Sequence, residues 1–187
     1  MKNIKLLAFL FITTLLAASC SSDDDIAPIV EEEVITTLNV TLVGGGETIT
    51  LEYKDLDPEG PTPPTITVSS PLMANTNYIA SMSLLNELEN PIDNITVEIE
   101  EEAEEHQFFY LVGTGLNISN LTYLDFDADG KPLGLNFSFD TGEASQGDFT
   151  VILRHEPNKE GAGVSDGDIT NAGGDTDISA TFPLVIQ

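Results

Sequence analysis

From Val34 onward, apolar and polar residues alternate along much of the chain. Leu38, Val40 and Leu42 fall on one side, with Asn39 and Thr41 on the other. After Gly44-Gly45-Gly46 the pattern resumes, with Ile49, Leu51 and Tyr53 set against Thr48, Thr50 and Glu52. A period of two marks a strand with one buried face, and a glycine cluster between two such runs predicts a β-hairpin. Residues 65–69 read as a shorter strand after a proline-rich loop, and Tyr78, Ala80, Met82 and Leu84 alternate again. Further on, residues 121–126 and 133–139 flank Asp127-Ala128-Asp129-Gly130, a second hairpin with glycine where positive φ is needed. Phe149, Val151, Leu153 and His155 share one strand face. A long polar loop follows over residues 156–175, and then Ile178, Ala180, Phe182, Leu184 and Ile186 alternate to the end. Pro183 points away from that apolar face, which suits an edge strand because proline offers no N–H to a neighbour.

The middle is less regular. Pro91-Ile92-Asp93-Asn94 resembles a helix start, with Asp93 or Asn94 as the cap. Ile95, Ile99 and Ala103 then recur at helical spacing, while Ile95, Val97 and Ile99 also alternate as a strand would. Glu98, Glu100, Glu101 and Glu102 decide for helix, because like charges crowded on a strand are poorly supported. The expectation is a helix over residues 95–104 and a strand over 106–112. Some eight short strands with one minor helix predict an all-β fold, an immunoglobulin-like β-sandwich spanning residues 34–187.

The first 33 residues have a different texture. Lys2 and Lys5 precede an apolar run over residues 6–16, then the small residues Ala17, Ala18 and Ser19. This is the layout of a secretory signal, and the run is shorter than the roughly 20 residues of a membrane-spanning helix. Leu16-Ala17-Ala18-Ser19-Cys20 resembles a bacterial lipobox, which implies removal of residues 1–19 and lipid attachment at Cys20. Two or three acyl chains at about 0.8 kcal/mol per buried methylene anchor a protein firmly without any transmembrane helix. Ser21-Ser22-Asp23-Asp24-Asp25 resembles the export signal of Bacteroidota surface lipoproteins, implying a location on the outer face of the outer membrane. Residues 20–33, ending in Glu31-Glu32-Glu33, read as a flexible acidic tether.

Charge narrows the partners. The chain carries 32 acidic and 6 basic residues. Without Lys2 and Lys5 the balance is four basic against 32 acidic, a net charge of −28. Such a surface repels nucleic acid and anionic membranes and attracts cations or basic partners. Cys20 is the sole cysteine, so no disulfide staples the domain and its stability comes from apolar burial.

Candidate chemistry lies in two places. The two histidines of the chain, His106 and His155, each sit at a strand end beside glutamate. With Glu102, Glu105 and Glu156 they form a donor set for zinc, copper or another first-row divalent ion. The alternative is that each histidine caps a strand and bonds a neighbouring glutamate. Asp125-Phe126-Asp127-Ala128-Asp129-Gly130 opens like a calcium loop, with Asp125, Asp127 and Asp129 as ligands. Position 136 is Asn136 where an EF-hand needs glutamate, so the stretch reads as a calcium-binding hairpin or as a plain acidic turn. Asp55-Leu56-Asp57-Pro58-Glu59-Gly60 invites the same pair of readings. No G-x-S-x-G elbow or catalytic cysteine is present, and no carboxylate pair is singled out; the expectation is a binding protein and not an enzyme.

The stretch NELENPIDNITVEIEEEAEEHQFF, with LRHEPNK and the terminal GDTDISATFPLVIQ, resembles a family of small Bacteroidota lipoproteins without settled activity. Some are labelled with a type 1 periplasmic-binding fold, which the strand-rich pattern here does not fit, since that fold alternates helix and strand. The resemblance implies a companion of a TonB-dependent outer-membrane receptor, engaged in uptake or in surface binding of a metal or metal complex, and places weight on His106, His155 and the nearby glutamates. The alternative is an adhesion or structural module with no small-molecule ligand.

Overall fold

The computed structural model describes residues 33–58 and 60–187. Among them the strands are β1 (Thr37–Gly44), β2 (Glu47–Lys54), β3 (Thr65–Val68), β4 (Asn77–Leu85), β5 (His106–Val112), β6 (Ile118–Tyr123), β7 (Asn136–Thr141), β8 (Ser145–His155) and β9 (Asp175–Ile186). A single α-helix, α1 (Ile95–Glu101), links β4 to β5. One sheet has the order β3-β2-β1-β4-β7-β6, the other β5-β8-β9. The all-β sandwich with one short helix expected from the alternation is the fold observed. No helix among the described residues is long and apolar enough to cross a membrane.

The alternating residues meet between the sheets. Leu38, Val40, Leu42, Ile49, Leu51, Tyr78, Ala80, Leu84, Phe137 and Phe139 face Phe108, Tyr110, Phe149, Val151, Leu153, Ala180, Phe182 and Leu184, all buried. The Tyr110 and Phe137 rings stack at 4.1 Å between centroids. Burying one such side chain contributes about 1.5–3 kcal/mol, so the aromatic centre is the main glue of a domain without disulfides.

Local devices follow the sequence closely in two places. Gly45 and Gly46, both at positive φ (59° and 81°), form the two-residue turn joining β1 to β2, as a tight hairpin with right-twisted strands demands. Pro183 lies on β9, the edge of the three-stranded sheet. The helix ends three residues earlier than the pattern predicts, at Glu101.

The second hairpin is wider than expected. Its strands lie at residues 118–123 and 136–141, and not at 121–126 and 133–139. Asp125 is the cause: its carboxylate accepts the N–H groups of Gly134 (2.7 Å) and Asn136 (2.8 Å), holding the tip open. The freed residues 132–135 run across the sandwich, where the Leu133 carbonyl accepts the Phe108 N–H and the Leu135 carbonyl accepts the Met82 N–H. Gly134, at φ 97°, permits this crossing, since a Cβ there would stand 2.9 Å from the Phe108 Cβ.

The polar loop between β8 and β9 is also packed. It carries two short 3-10 turns, Val164–Asp166 and Ile169–Asn171. Val164 and Ala172 bury Phe109 on the outer face of β5. Lys159, 7% exposed, runs inward and donates to the Ala103 carbonyl (2.6 Å), Asp127 Oδ2 (2.8 Å) and the Pro132 carbonyl (3.1 Å). One lysine thus ties the loop to the end of α1 and to the β6–β7 tip.

Candidate metal centre

The β5–β8 ladder pairs Tyr110 with Val151, Phe108 with Leu153, and His106 with His155. The inward face of the sheet therefore ends in two imidazoles, where regular pairing would have placed one more apolar layer. Their rings stack at 4.8 Å between centroids. His106 is fully buried and His155 is 6% exposed.

Two carboxylates close the group. Asp177 belongs to β9 at a register shift: Leu153 pairs with Ile178 and Arg154 with Thr176, leaving Asp177 as the extra residue. Such a bulge re-aims a side chain that strict alternation would send to the other face. Glu33 comes from the segment leading into β1, the opposite sheet. That segment is held by buried Ile35 and by Thr36, whose N–H donates to the Leu85 carbonyl at 3.0 Å. The side chains of Glu33 and Asp177 are 7% and 1% exposed.

The distances have a common character. His106 Nε2 lies 3.1 Å from Glu33 Oε1 and 3.8 Å from Asp177 Oδ2. His155 Nδ1 lies 4.0 Å from Glu33 Oε2 and 4.0 Å from Asp177 Oδ1. One ligand atom from each of the four residues stands within 4.8 Å of every other. Contacts of 3.8–4.0 Å are too long for hydrogen bonds. With metal–ligand bonds of about 2.0–2.2 Å, ligand atoms around a tetrahedral ion stand about 3.3–3.6 Å apart. The four donors bracket that spacing.

The orientation of His106 fits a ligand. Its Nδ1 stands 3.1 Å from the Glu102 carbonyl. An N–H there donates outward and leaves the Nε2 lone pair directed at the carboxylates, the arrangement that typically orients metal-binding histidines. His106 Nε2 and Glu33 Oε2 are buried without an aligned hydrogen bond among the described residues. Without a metal the two groups support each other's charge. Burial works against a charged Glu33, but His106 outweighs it and holds the carboxyl below 4.5. Burial likewise works against a charged His106, but Glu33 outweighs it and raises the imidazole above 6.5. A dication would balance the two carboxylates and leave both imidazoles neutral, so the centre as a whole would carry no net charge.

The residues expected from the sequence divide. His106 and His155 are brought together. Glu102 acts through its backbone carbonyl, and its exposed carboxylate joins neither donor group. Glu105 and Glu156 lie on the far side of His155, with Glu105 Oε2 3.8 Å from His155 Nε2. Glu33 and Asp177 were not singled out in the sequence.

The calcium-loop reading meets a different outcome. Asp125 is engaged by Gly134 and Asn136, and Asp127 accepts from Asp129 N–H, Lys131 N–H and the Lys159 ammonium. Asp129 is exposed. The three carboxylates are not gathered as a cation site; they shape the hairpin tip. In the other acidic turn Asp55 Oδ1 accepts the Asp57 N–H at 3.1 Å, while Glu59 lies outside the described residues. Cys20 and the remaining residues before Glu33 lie outside them too.

No protein-family model matches this chain, and neither a curated protein nor a solved structure matches it.

Proposed function

We propose that this chain is a lipid-anchored outer-membrane protein, exposed at the cell surface, that holds a first-row divalent cation between Glu33, His106, His155 and Asp177. It serves as an accessory to uptake through a TonB-dependent receptor, delivering the cation or a complex of it. The observation that carries the cation reading is the convergence of two buried imidazoles and two buried carboxylates at ligand spacing. Two nitrogens and two oxygens favour zinc or copper over calcium, which prefers an all-oxygen shell. An open cleft of about 650 Å³ reaches the two carboxylates, with Asp57 on its wall, and offers a route inward. The acidic surface raises the local concentration of cations in a manner that weakens with salt. The location rests on the lipobox-like segment ending at Cys20 and the acidic run after it, and the receptor partnership on the family resemblance. The absence of a nucleophile motif favours binding over catalysis.

Calorimetry on the EDTA-stripped full chain, titrated with zinc, copper and calcium, tests this. The expected result is one tight ion for zinc and copper, with calcium far weaker. No heat for any ion up to millimolar concentration overturns the cation reading and leaves the adhesion module as the surviving alternative.

A further inference from the structure

The open cleft beside the candidate centre offers more than a bare ion can use. Its volume is about 650 Å³, and its wall joins the apolar Val34, Pro58 and Leu88 to the acidic Glu33, Asp57 and Asp177. Val34 and Leu88 are 46% and 54% exposed. A hydrated cation gains nothing from such apolar surface, whereas a hollow of this size, with apolar walls and a few polar groups, is the usual form of a small-molecule site. No lysine or arginine stands among the described residues that line it.

Glu33 shows what a ligand would supply. Its side chain is 7% exposed, and Oε2 accepts no hydrogen bond from the described residues. A buried carboxylate oxygen without a donor is costly, and a cationic N–H is the donor that offsets this best. Asp57 is fixed on the same wall by the acidic turn. The Asp55 N–H donates to the Thr36 carbonyl at 2.8 Å, tying the turn to the segment that carries Glu33. The Asp57 N–H donates in turn to Asp55 Oδ1 at 3.1 Å. A Cβ at position 60 would collide with the Asp57 carboxylate, so Gly60 leaves that group its place.

We propose that the cleft binds a small organic amine, its ammonium held by Asp57 and Glu33 with Asp177 behind them, its apolar body resting on Val34, Pro58 and Leu88. The site goes beyond the cation reading and needs no metal. It shares Glu33 and Asp177 with the enclosed cation position, so amine and dication exclude one another, and each weakens the other's binding by the same factor. The protein thus exchanges one cationic ligand for another at a common pair of carboxylates.

Calorimetry with phenethylammonium on the EDTA-stripped full chain tests this. The wild type is expected to take one molecule. Phenethyl alcohol, the same body without charge, and ethylammonium, the same charge without the ring, are each expected to bind at least about tenfold more weakly. Asp57→Asn is expected to weaken phenethylammonium about tenfold, while Asp148→Asn, an equal loss of acidic charge on β8, leaves it unchanged. Zinc is expected to displace the amine. The proposal is overturned if phenethylammonium gives no heat up to millimolar concentration, if either control compound binds as well, or if Asp148→Asn weakens it as much as Asp57→Asn. Zinc and phenethylammonium bound together without mutual effect overturn it too, since the carboxylates are then not shared. The cation reading fails separately: amine binding without zinc binding leaves the amine site standing, and zinc binding without amine binding leaves only the cation reading.

Discussion

His106 and His155 face each other on the last rung of the β5–β8 ladder, their ring planes 21° from parallel and their centroids 4.8 Å apart. They lie 49 positions apart in the chain, and the sheet brings them side by side. Altering even a residue that only orients a metal ligand costs about 10–100-fold in affinity, so loss of a ligand costs more. His106→Ala and His155→Ala are each expected to weaken zinc binding more than about 100-fold, with the strand signature in circular dichroism retained. Unchanged affinity in a folded single variant contradicts the assignment.

Of the four residues of the enclosed centre, Glu33 is the one that does not belong to the three-stranded sheet. A cation bound there joins the lead into β1 to β5, β8 and β9. The amides of Glu33, Val34 and Ile35 are therefore expected to exchange hydrogen more slowly when zinc is added, and Glu33→Gln is expected to abolish that protection. Zinc binding with identical exchange in this segment would show that Glu33 is not a ligand.

Lys159 and Asp127 form a buried pair, at 7% and 2% side-chain exposure. Removing one member of such a pair strands the other charge and costs about 3–5 kcal/mol. Lys159→Met is expected to lower stability by about that amount in urea unfolding, and Asp127→Asn by less, since an amide still accepts from the lysine. The pH dependence follows from the same contact. Burial pushes the Asp127 carboxyl up, but the Lys159 ammonium and the N–H groups of Lys131 and Asp129 outweigh it and hold the pKa below 3.8. A lowered folded pKa means that the contribution is present above 3.8 and lost as pH falls through the folded value. The difference in stability between wild type and Asp127→Asn should thus shrink below pH 3.8; a constant difference down to pH 2 contradicts the pairing.

The placement at the membrane is tested on Cys20. Labelled palmitate is expected to enter the wild type and not Cys20→Ala. Equal labelling of both, or of neither, removes the lipid anchor.

Much of the sandwich was legible because burial on one face writes itself into the sequence at a period of two. Strand β5 begins at His106 and ends at Val112 as the pattern predicts, and the β1–β2 turn falls on its glycines. Half of the candidate centre was legible for another reason: histidine is scarce here, so both copies draw notice. The carboxylates were hidden by abundance and by geometry. Glu33 is one of 32 acidic residues and ends a run of three that resembles a solvated tether. Its partners lie on the other sheet, and no local pattern reports that closure. Strict alternation from Ile178 would place Asp177 on the opposite, solvent-facing side, and the register shift opposite Leu153 and Arg154 reverses that parity. A bulge inserts one residue without altering composition, so periodicity before and after it stays intact while the side chain at the insertion turns inward. The one signal available was an acidic residue immediately before the apolar run that starts at Ile178.

The enclosed cation position between Glu33, His106, His155 and Asp177 is the core of the proposed function. Crystals of the full chain grown with stoichiometric zinc and measured at the zinc absorption edge test it most directly. The prediction is an anomalous peak coordinated by His106 Nε2, His155 Nδ1 and the carboxylates of Glu33 and Asp177. A well-ordered centre with no peak, its histidines paired directly with those carboxylates, would contradict it.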